Sequence, residues 1–384
     1  MLVGIFMVLS NLKIVLTDKV IESGYLVIEN EKIVKVGEGA YSGKEKAIDQ
    51  KGLIAFPGFI DVHFHGSVGI DFMDAKVSDY SRISSSLYEE GITSYLATTL
   101  TSDHASLLNV CRNVKEAKKT NPSLLGIHFE GPYISANHKG AQNEAFIRNP
   151  SIDELKQYIL ESGNNVRYIS LAPEKEGALE FIKFASKQGI VTSAGHTDAS
   201  FKEVEEAIKA GLTNTTHTHN AMSGHHHRKP GVVSAAFYFD NLFTEFIVDK
   251  IHVCPESLKM SYKIIGPDRF MIITDALKAK HSDLQEFTLF GLPCIRKDGA
   301  AYLTSGPLAG SLLTLDQGVR NMYELVKPSL SDLAKISSYN ASKCLHLTDR
   351  GEIKEGKLAD LVLLDKDLYV NKTIKLGKVV YERK

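Results

Sequence analysis

Apolar and polar positions change rhythm along the chain. Over residues 1–54, short runs rich in β-branched residues predict strands at Lys13–Leu16, Gly24–Ile28 and Lys32–Val36. Glu29, Asn30 and Glu31 between the last two suit a tight turn. The tail has the same texture, with strand-like runs at Ala359–Leu364 and Lys378–Tyr381 separated by polar turns. Strand-rich ends around a different middle predict one small β-sandwich domain built from residues 1–54 and 351–384.

Residues 55–350 alternate instead. Strand-like runs at Phe59–His65, Ser94–Thr98, Leu125–Glu130, Arg167–Leu171, Ile190–His196, Asn214–His219, Phe243–Val248 and Phe270–Thr274 are interleaved with helical patterns. The helices include Tyr80–Glu90, Ala105–Lys119, Ile152–Ser162 and Phe201–Ala210. Eight strands with intervening helices predict an α/β fold, a (β/α)8 TIM-like barrel. A long, open, doubly wound sheet is the alternative. A dinucleotide-binding sheet is disfavoured, because no GxGxxG follows an early strand. Near 281–310 the rhythm breaks at Gly291, Gly299 and Gly306, which predicts a β insertion after the last barrel strand.

Composition narrows the class. The 384 residues are 43% hydrophobic and 24% charged, which excludes disorder as the main character. Lys and Arg number 45 against 46 Asp and Glu, with no block of like charge. Neither nucleic acid nor membrane is therefore expected as a partner. The four cysteines, Cys111, Cys254, Cys294 and Cys344, form no CxxC and predict neither a disulfide framework nor a zinc knuckle. The apolar start, Met1–Leu9, lacks a basic flank and reads as a strand rather than a signal peptide. With no apolar run of transmembrane length, a cytoplasmic location is expected.

The chemistry gathers at strand ends. In Phe59-Ile-Asp-Val-His-Phe-His65, alternation puts Asp61, His63 and His65 on one face and Ile60, Val62 and Phe64 on the other. Imidazoles two residues apart can converge on one ion, although an HxH by itself is weak. His128 and Glu130 close a later strand, His196 the next but one, His217 and His219 the sixth, and Asp275 the last. A parallel barrel brings the C-terminal ends of its strands to one face. His63, His65, Glu130, His196, His217 and Asp275 then come within reach of one another. Any one of these histidines alone is more simply a hydrogen-bonded core residue. Six metal-type residues at successive strand ends reverse that balance and describe a hydrolytic metal centre.

The runs Pro57–Gly66, His128–Pro132, Leu171–Pro173, Ser193–His196, Thr216–Met222 and Ile273–Ala276, with Gly310 and Ser311, resemble the amidohydrolase superfamily. Within it, the likeness is closest to the N-acetylglucosamine-6-phosphate deacetylases, along nearly the whole chain. That resemblance implies Glu130, His196 and His217 as the main metal ligands, and His63 and His65 as a pair able to hold a second ion. It implies Asp275 as the acid/base, and Asn220 and Ala221 as substrate contacts. Arg228 and His252 are implied as sugar-phosphate contacts, the arginine reaching the neighbouring active site of a homodimer. One or two divalent ions per subunit are expected, zinc or iron first, with manganese or cobalt as alternatives. One position departs from the family pattern: Gln142 stands where some relatives carry a histidine that helps hold the substrate carbonyl. A glutamine donates a hydrogen bond there but carries no charge.

The expected reaction is hydrolysis of the N-acetyl group of N-acetyl-D-glucosamine 6-phosphate to glucosamine 6-phosphate and acetate. It would use a metal-activated water with Asp275 as general base and then acid, in amino-sugar catabolism or cell-wall recycling. Three alternatives stand beside it. One is the epimeric galactosamine substrate. Another is a cyclic-amide hydrolase, disfavoured because Arg167–Pro173 carries no lysine to be carbamylated. The last is a non-catalytic scaffold of the same fold. His225, His226 and His227 read as a solvated loop, and Asp71, Asp74 and Asp103 as turn or cap residues.

Overall fold

A computed structural model describes residues 6–384. Residues 1–5, part of the apolar start, lie outside the described residues.

Eight parallel strands form the barrel wall: β1 (Phe59–Asp61), β2 (Ile92–Thr99), β3 (Leu124–Glu130), β4 (Val166–Leu171), β5 (Val191–Ala194), β6 (Asn214–Thr215), β7 (Phe243–Ile247) and β8 (Phe270–Ile273). Each pairs with the next in chain order, from β1 to β8. Every residue of β2, β3 and β5 is buried, as expected for strands covered on both faces. The remaining seam, between β8 and β1, is closed just beyond the strands. Asp275 N–H donates to His63 O at 2.8 Å, and Thr274 Oγ1 donates to Asp61 Oδ2 at 2.6 Å. At the other end, Ser338 Oγ donates to Pro57 O and Gly58 O, and Asn340 Nδ2 to Pro267 O and Phe270 O. The π-helical turn Lys335–Tyr339 thus pins the base of the seam.

The helices are set by local chemistry. Asp103 caps His104–Ala117 by accepting from Ser106 N at 2.9 Å. Ser200 and Glu203 form a capping box at the start of Phe201–Ala210, which ends on Gly211 at φ 119°. Asp71 holds the turn after β1 by accepting from Met73 N at 2.9 Å. The turn and cap reading of Asp71 and Asp103 describes these contacts.

Two hydrophobic layers surround the wall. Phe59, Phe64, Tyr95, Phe129, Ile169 and Phe246 belong to the large core shared with the helices. Ile60, Val62, Leu96, Tyr168, Ile247 and Ile273 belong to a second cluster, together with Cys344 and Leu345 from the base segment.

Both chain ends join one sheet, in which Leu361–Leu364 pairs with Ile54–Pro57 and that strand pairs with Phe6–Val15. The sheet curls, so that Ile33 N donates to Lys357 O and Ala359 N to Glu31 O. Its layers enclose Leu9, Leu12, Leu26, Ile28, Leu361 and Leu363. Between β8 and the helix Leu315–Val326, four antiparallel strands spanning 286–311 form a separate sheet.

Candidate metal-dependent active site

The regular part of β1 stops at Asp61, and the expected alternation breaks there. Val62 joins the inner cluster with Ile60, but Phe64 packs outward, edge-on to Phe72 and Tyr95. Asp61 causes the break. Its Oδ1 accepts from His63 N at 3.1 Å while its Oδ2 is held by Thr274, so the chain turns instead of continuing. Asp61 therefore holds the seam and does not share a face with the histidines. His63 and His65 still converge, carried by this turn rather than by strand geometry.

The six residues expected at the strand ends fall into two groups, Glu130–His196–His217 and His63–His65–Asp275, each with its ligand atoms close together and all buried. Glu130 joins them. Its Oε1 lies 3.1 Å from His196 Nε2, 3.1 Å from His217 Nε2 and 3.3 Å from His63 Nε2, and its Oε2 lies 3.3 Å from His65 Nε2. Asp275 Oδ1 is 3.1 Å from His65 Nε2 and 3.5 Å from His63 Nε2. His196 Nε2 and His217 Nε2 are themselves 3.1 Å apart.

The backbone is bent to achieve this. His196, His217, Ala221 and Asp275 all have positive φ, at 49°, 31°, 47° and 48°. Non-glycine residues adopt that region at a cost, and such residues cluster at functional sites. Around Asp275 the strain is held by backbone bonds, since Ser311 N donates to Asp275 O and Asp275 N to His63 O. Gly310 comes close enough that a Cβ there would meet Leu277 at 2.9 Å and Asp275 O at 3.1 Å.

Supporting bonds fix the imidazoles. His196 Nδ1 donates to His138 O at 2.7 Å, which turns Nε2 toward Glu130. His63 Nδ1 lies 3.0 Å from Glu245 Oε2, and its buried Nε2 has no hydrogen-bond partner. His128 lies behind the site, with Nδ1 on Val62 O, Nε2 on Ser170 Oγ and its ring edge-on to His63 at 4.6 Å. Burial, and then His63, drive the His128 pKa well below the ordinary imidazole value, so it is neutral.

Charge balance follows from the crowding. Burial pushes the Glu130 carboxyl up, but His63, His196 and His217 outweigh it and hold the carboxyl well below the usual carboxylate range. Asp275 is likewise lowered, burial being outweighed by His63 and His65. Burial pushes His65 down, yet Asp275 and Glu130 bring it up to about 9. His65 thus holds a proton where a cation would otherwise sit.

A cavity of about 320 Å³ opens over these groups, lined among others by Gln142, Asn220, Ala221, His252, Leu289 and Gly310. Asn220 Nδ2 is buried there without a partner. His252 is held by Asp249, Nδ1 to Oδ2 at 2.6 Å. Gln142 lines the cavity, but both ends of its amide are engaged: Nε2 donates to Glu130 Oε2 at 2.5 Å, and Oε1 accepts from Thr101 N at 2.7 Å. Arg228 is absent from the lining. It lies with His225, His226, His227 and Lys229 on an exposed loop, where its guanidinium bonds His227 Nε2. His219 turns away to Ser261 Oγ at 2.8 Å.

Sequence reasoning missed Glu245. It sits inside the apolar run of β7, where a lone carboxylate is the only signal of anything but core.

The model of the amidohydrolase family matches residues 54–380. The N-acetylglucosamine-6-phosphate deacetylase of Bacillus subtilis is 37% identical over 386 aligned positions, covering 98% of this chain and 97% of that protein. The N-acetylgalactosamine-6-phosphate deacetylase of Escherichia coli O157:H7 is 34% identical over 82% of this chain and 84% of its own. Among solved structures, the Thermotoga maritima N-acetylglucosamine-6-phosphate deacetylase superposes with a TM-score of 0.90. It is 38% identical, over 98% of this chain and 100% of that one.

Proposed function

The chain belongs to the amidohydrolase family, and from that premise we propose that it hydrolyses the acetamide of N-acetyl-D-glucosamine 6-phosphate to glucosamine 6-phosphate and acetate. The observation that carries the reading is the convergence of Glu130, His196 and His217 with His63, His65 and Asp275, all but His63 lining one cavity.

The residues fit a divalent cation. Imidazole nitrogens and carboxylate oxygens crowd to about hydrogen-bond distance, and the buried His63 Nε2 has no partner of its own. Glu130, His196 and His217 would hold one ion, and His63, His65 and Asp275 a second. Imidazole and carboxylate accept zinc, iron, manganese and cobalt. When bound, such an ion makes water more acidic and draws electron density from an amide carbonyl.

The chain's own groups supply the rest. Asp275, ionised at neutral pH, takes a proton from the attacking water and passes it to the leaving nitrogen. Asn220 Nδ2 is free to donate to the sugar or its acetyl oxygen. Gln142, engaged by Glu130 and Thr101, contributes to the carbonyl site only by exchanging a partner. His252, its pKa raised by Asp249, would face the phosphate, and Arg228 would join it from the neighbouring subunit of a homodimer. A cytoplasmic place in amino-sugar catabolism or cell-wall recycling belongs to this reading. Among the described residues, no helix is long and apolar enough to cross a membrane.

The test is acetate release from N-acetylglucosamine 6-phosphate by the purified protein, with metal content measured on the same sample. Turnover with bound metal supports the reading. A fully metal-loaded protein without turnover removes this substrate. The galactosamine epimer is assayed beside it, because a relative of 34% identity carries that name.

A further inference from the structure

Glu245 is fully buried in the middle of β7, facing the inside of the barrel, where an apolar side chain would be the ordinary occupant. Among the described residues, no lysine or arginine pairs with it. Its titratable hydrogen-bond partners are His63 and Tyr168. Its carboxylate accepts three hydrogen bonds. Oε2 takes His63 Nδ1–H at 3.0 Å and His217 N–H at 3.2 Å, and Oε1 takes the Tyr168 hydroxyl. Its backbone O accepts from Thr218 N at 2.8 Å.

These contacts reach both ligand groups. The bond to Nδ1 places a His63 proton there and turns Nε2 toward Glu130 and Asp275, as the nitrogen that would face an ion. The bond to His217 N–H holds a residue at φ 31°, a conformation that the side chain of His217 does nothing to favour. Tyr168 fixes the second carboxylate oxygen and stacks edge-on against His128, which itself leans on His63.

We propose that Glu245 is a positioning residue for the metal centre: one carboxylate orients a ligand from each group, His63 through its ring and His217 through its backbone. A buried carboxylate without a cation is costly, and packing alone does not account for one here. The proposal rests on the reading of the two groups as metal-holding.

Leucine and glutamine at position 245 separate positioning from packing. Glu245→Leu fills the space but accepts nothing. Glu245→Gln keeps one acceptor oxygen for His63 and His217, with its amide turned toward Tyr168. Chelator-stripped wild-type and variant proteins are titrated with zinc, and bound zinc is measured per folded chain. Loss of an outer-shell partner typically weakens metal binding about 10–100-fold. Glu245→Leu is expected to lose the His63 group's zinc or to bind it that much more weakly, and Glu245→Gln to recover most of it. Equal zinc uptake by wild type and Glu245→Leu overturns the role of Glu245 and leaves the metal reading intact. A wild type that takes up no zinc overturns both. If Glu245→Leu does not fold, nitrogen-15 histidine spectra of zinc-loaded wild type decide the matter. A proton on His63 Nδ1 supports the proposal, and a proton on Nε2 overturns it.

Discussion

At the base of the barrel, Lys375 Nζ lies 2.8 Å from Asp360 Oδ2, and the Arg350 guanidinium lies 3.5 Å from the same oxygen while donating to Ser94 Oγ at 2.9 Å. At the opposite end, Glu130 and Asp275 face His63, His65, His196 and His217 at similar distances. Both clusters are buried and both mix charges. They differ in what is left over. At the base, the charges close on one another, and the cluster joins the curled terminal sheet to β2. At the top, His63 Nε2 and Asn220 Nδ2 remain unpartnered, and site residues hold left-handed backbone. A cluster that satisfies itself is architecture. One that leaves polar atoms unpartnered beside a cavity is prepared for something to arrive.

The sharpest way to break this comparison is to cut one carboxylate at each end. Asp275→Asn keeps the shape of the site and removes the proton acceptor. Acetate release is expected to fall by about 10²–10⁴-fold, with zinc bound by Glu130, His196 and His217 retained. Turnover within a few-fold of wild type would show that the base lies elsewhere. Asp360→Leu at the base leaves Lys375 and Arg350 buried without their partner. It is expected to lose about 3–5 kcal/mol of stability in urea unfolding, while turnover per folded molecule stays as in wild type. If Asp360→Leu instead slows catalysis without changing stability, the two ends are not separate in role.

Legibility in the sequence follows the same division. The alternation of strand and helix is a local pattern, so the barrel could be read from residue spacing, and the strand-end histidines and acids with it. What could not be read depends on contacts made across the fold. β6 shrinks to Asn214–Thr215 because the chain turns left-handed at His217, and nothing in Asn214–His219 announces that turn. Asp61 breaks the alternation after β1 through a bond to Thr274, more than two hundred residues later. Glu245 drew no reading because its three donors come from β4 and from the turns after β1 and β6. The sheet within 286–311 was legible as a β insertion from its glycine turns, but its strand order and register were not, since strand pairing leaves little local signature.

A finer cut uses pH. Burial pushes His252 down, but its bond to Asp249 outweighs this and raises the imidazole above its ordinary value of 6.5. With the folded value raised, the stabilisation from the charged pair is fully present below the ordinary value. It is lost as pH rises through the raised one. If the cation meets the substrate phosphate, KM should climb over that same window while kcat changes less. Asp249→Asn leaves burial opposed only by Asp275 and should move the climb to lower pH, raising KM about tenfold where wild-type His252 is still charged, the effect of about 1.4 kcal/mol. A KM profile unmoved by Asp249→Asn would take His252 out of phosphate binding.

The smallest cut returns to the base. Ser338 Oγ donates to the carbonyls of both Pro57 and Gly58, where the terminal sheet hands over to β1. Ser338→Ala removes one donor from two buried acceptors, and a loss of about 1 kcal/mol is expected. Because Pro57 and Gly58 lead directly into the turn carrying His63 and His65, this substitution also measures how well the ends are insulated. A denaturation shift with unchanged zinc stoichiometry and turnover means that the seam is fixed independently at each end, by Ser338 below and by Asp61 with Thr274 above. A change in zinc stoichiometry from so small a loss would mean that the seam transmits strain along β1, and that the base takes part in holding the ligands.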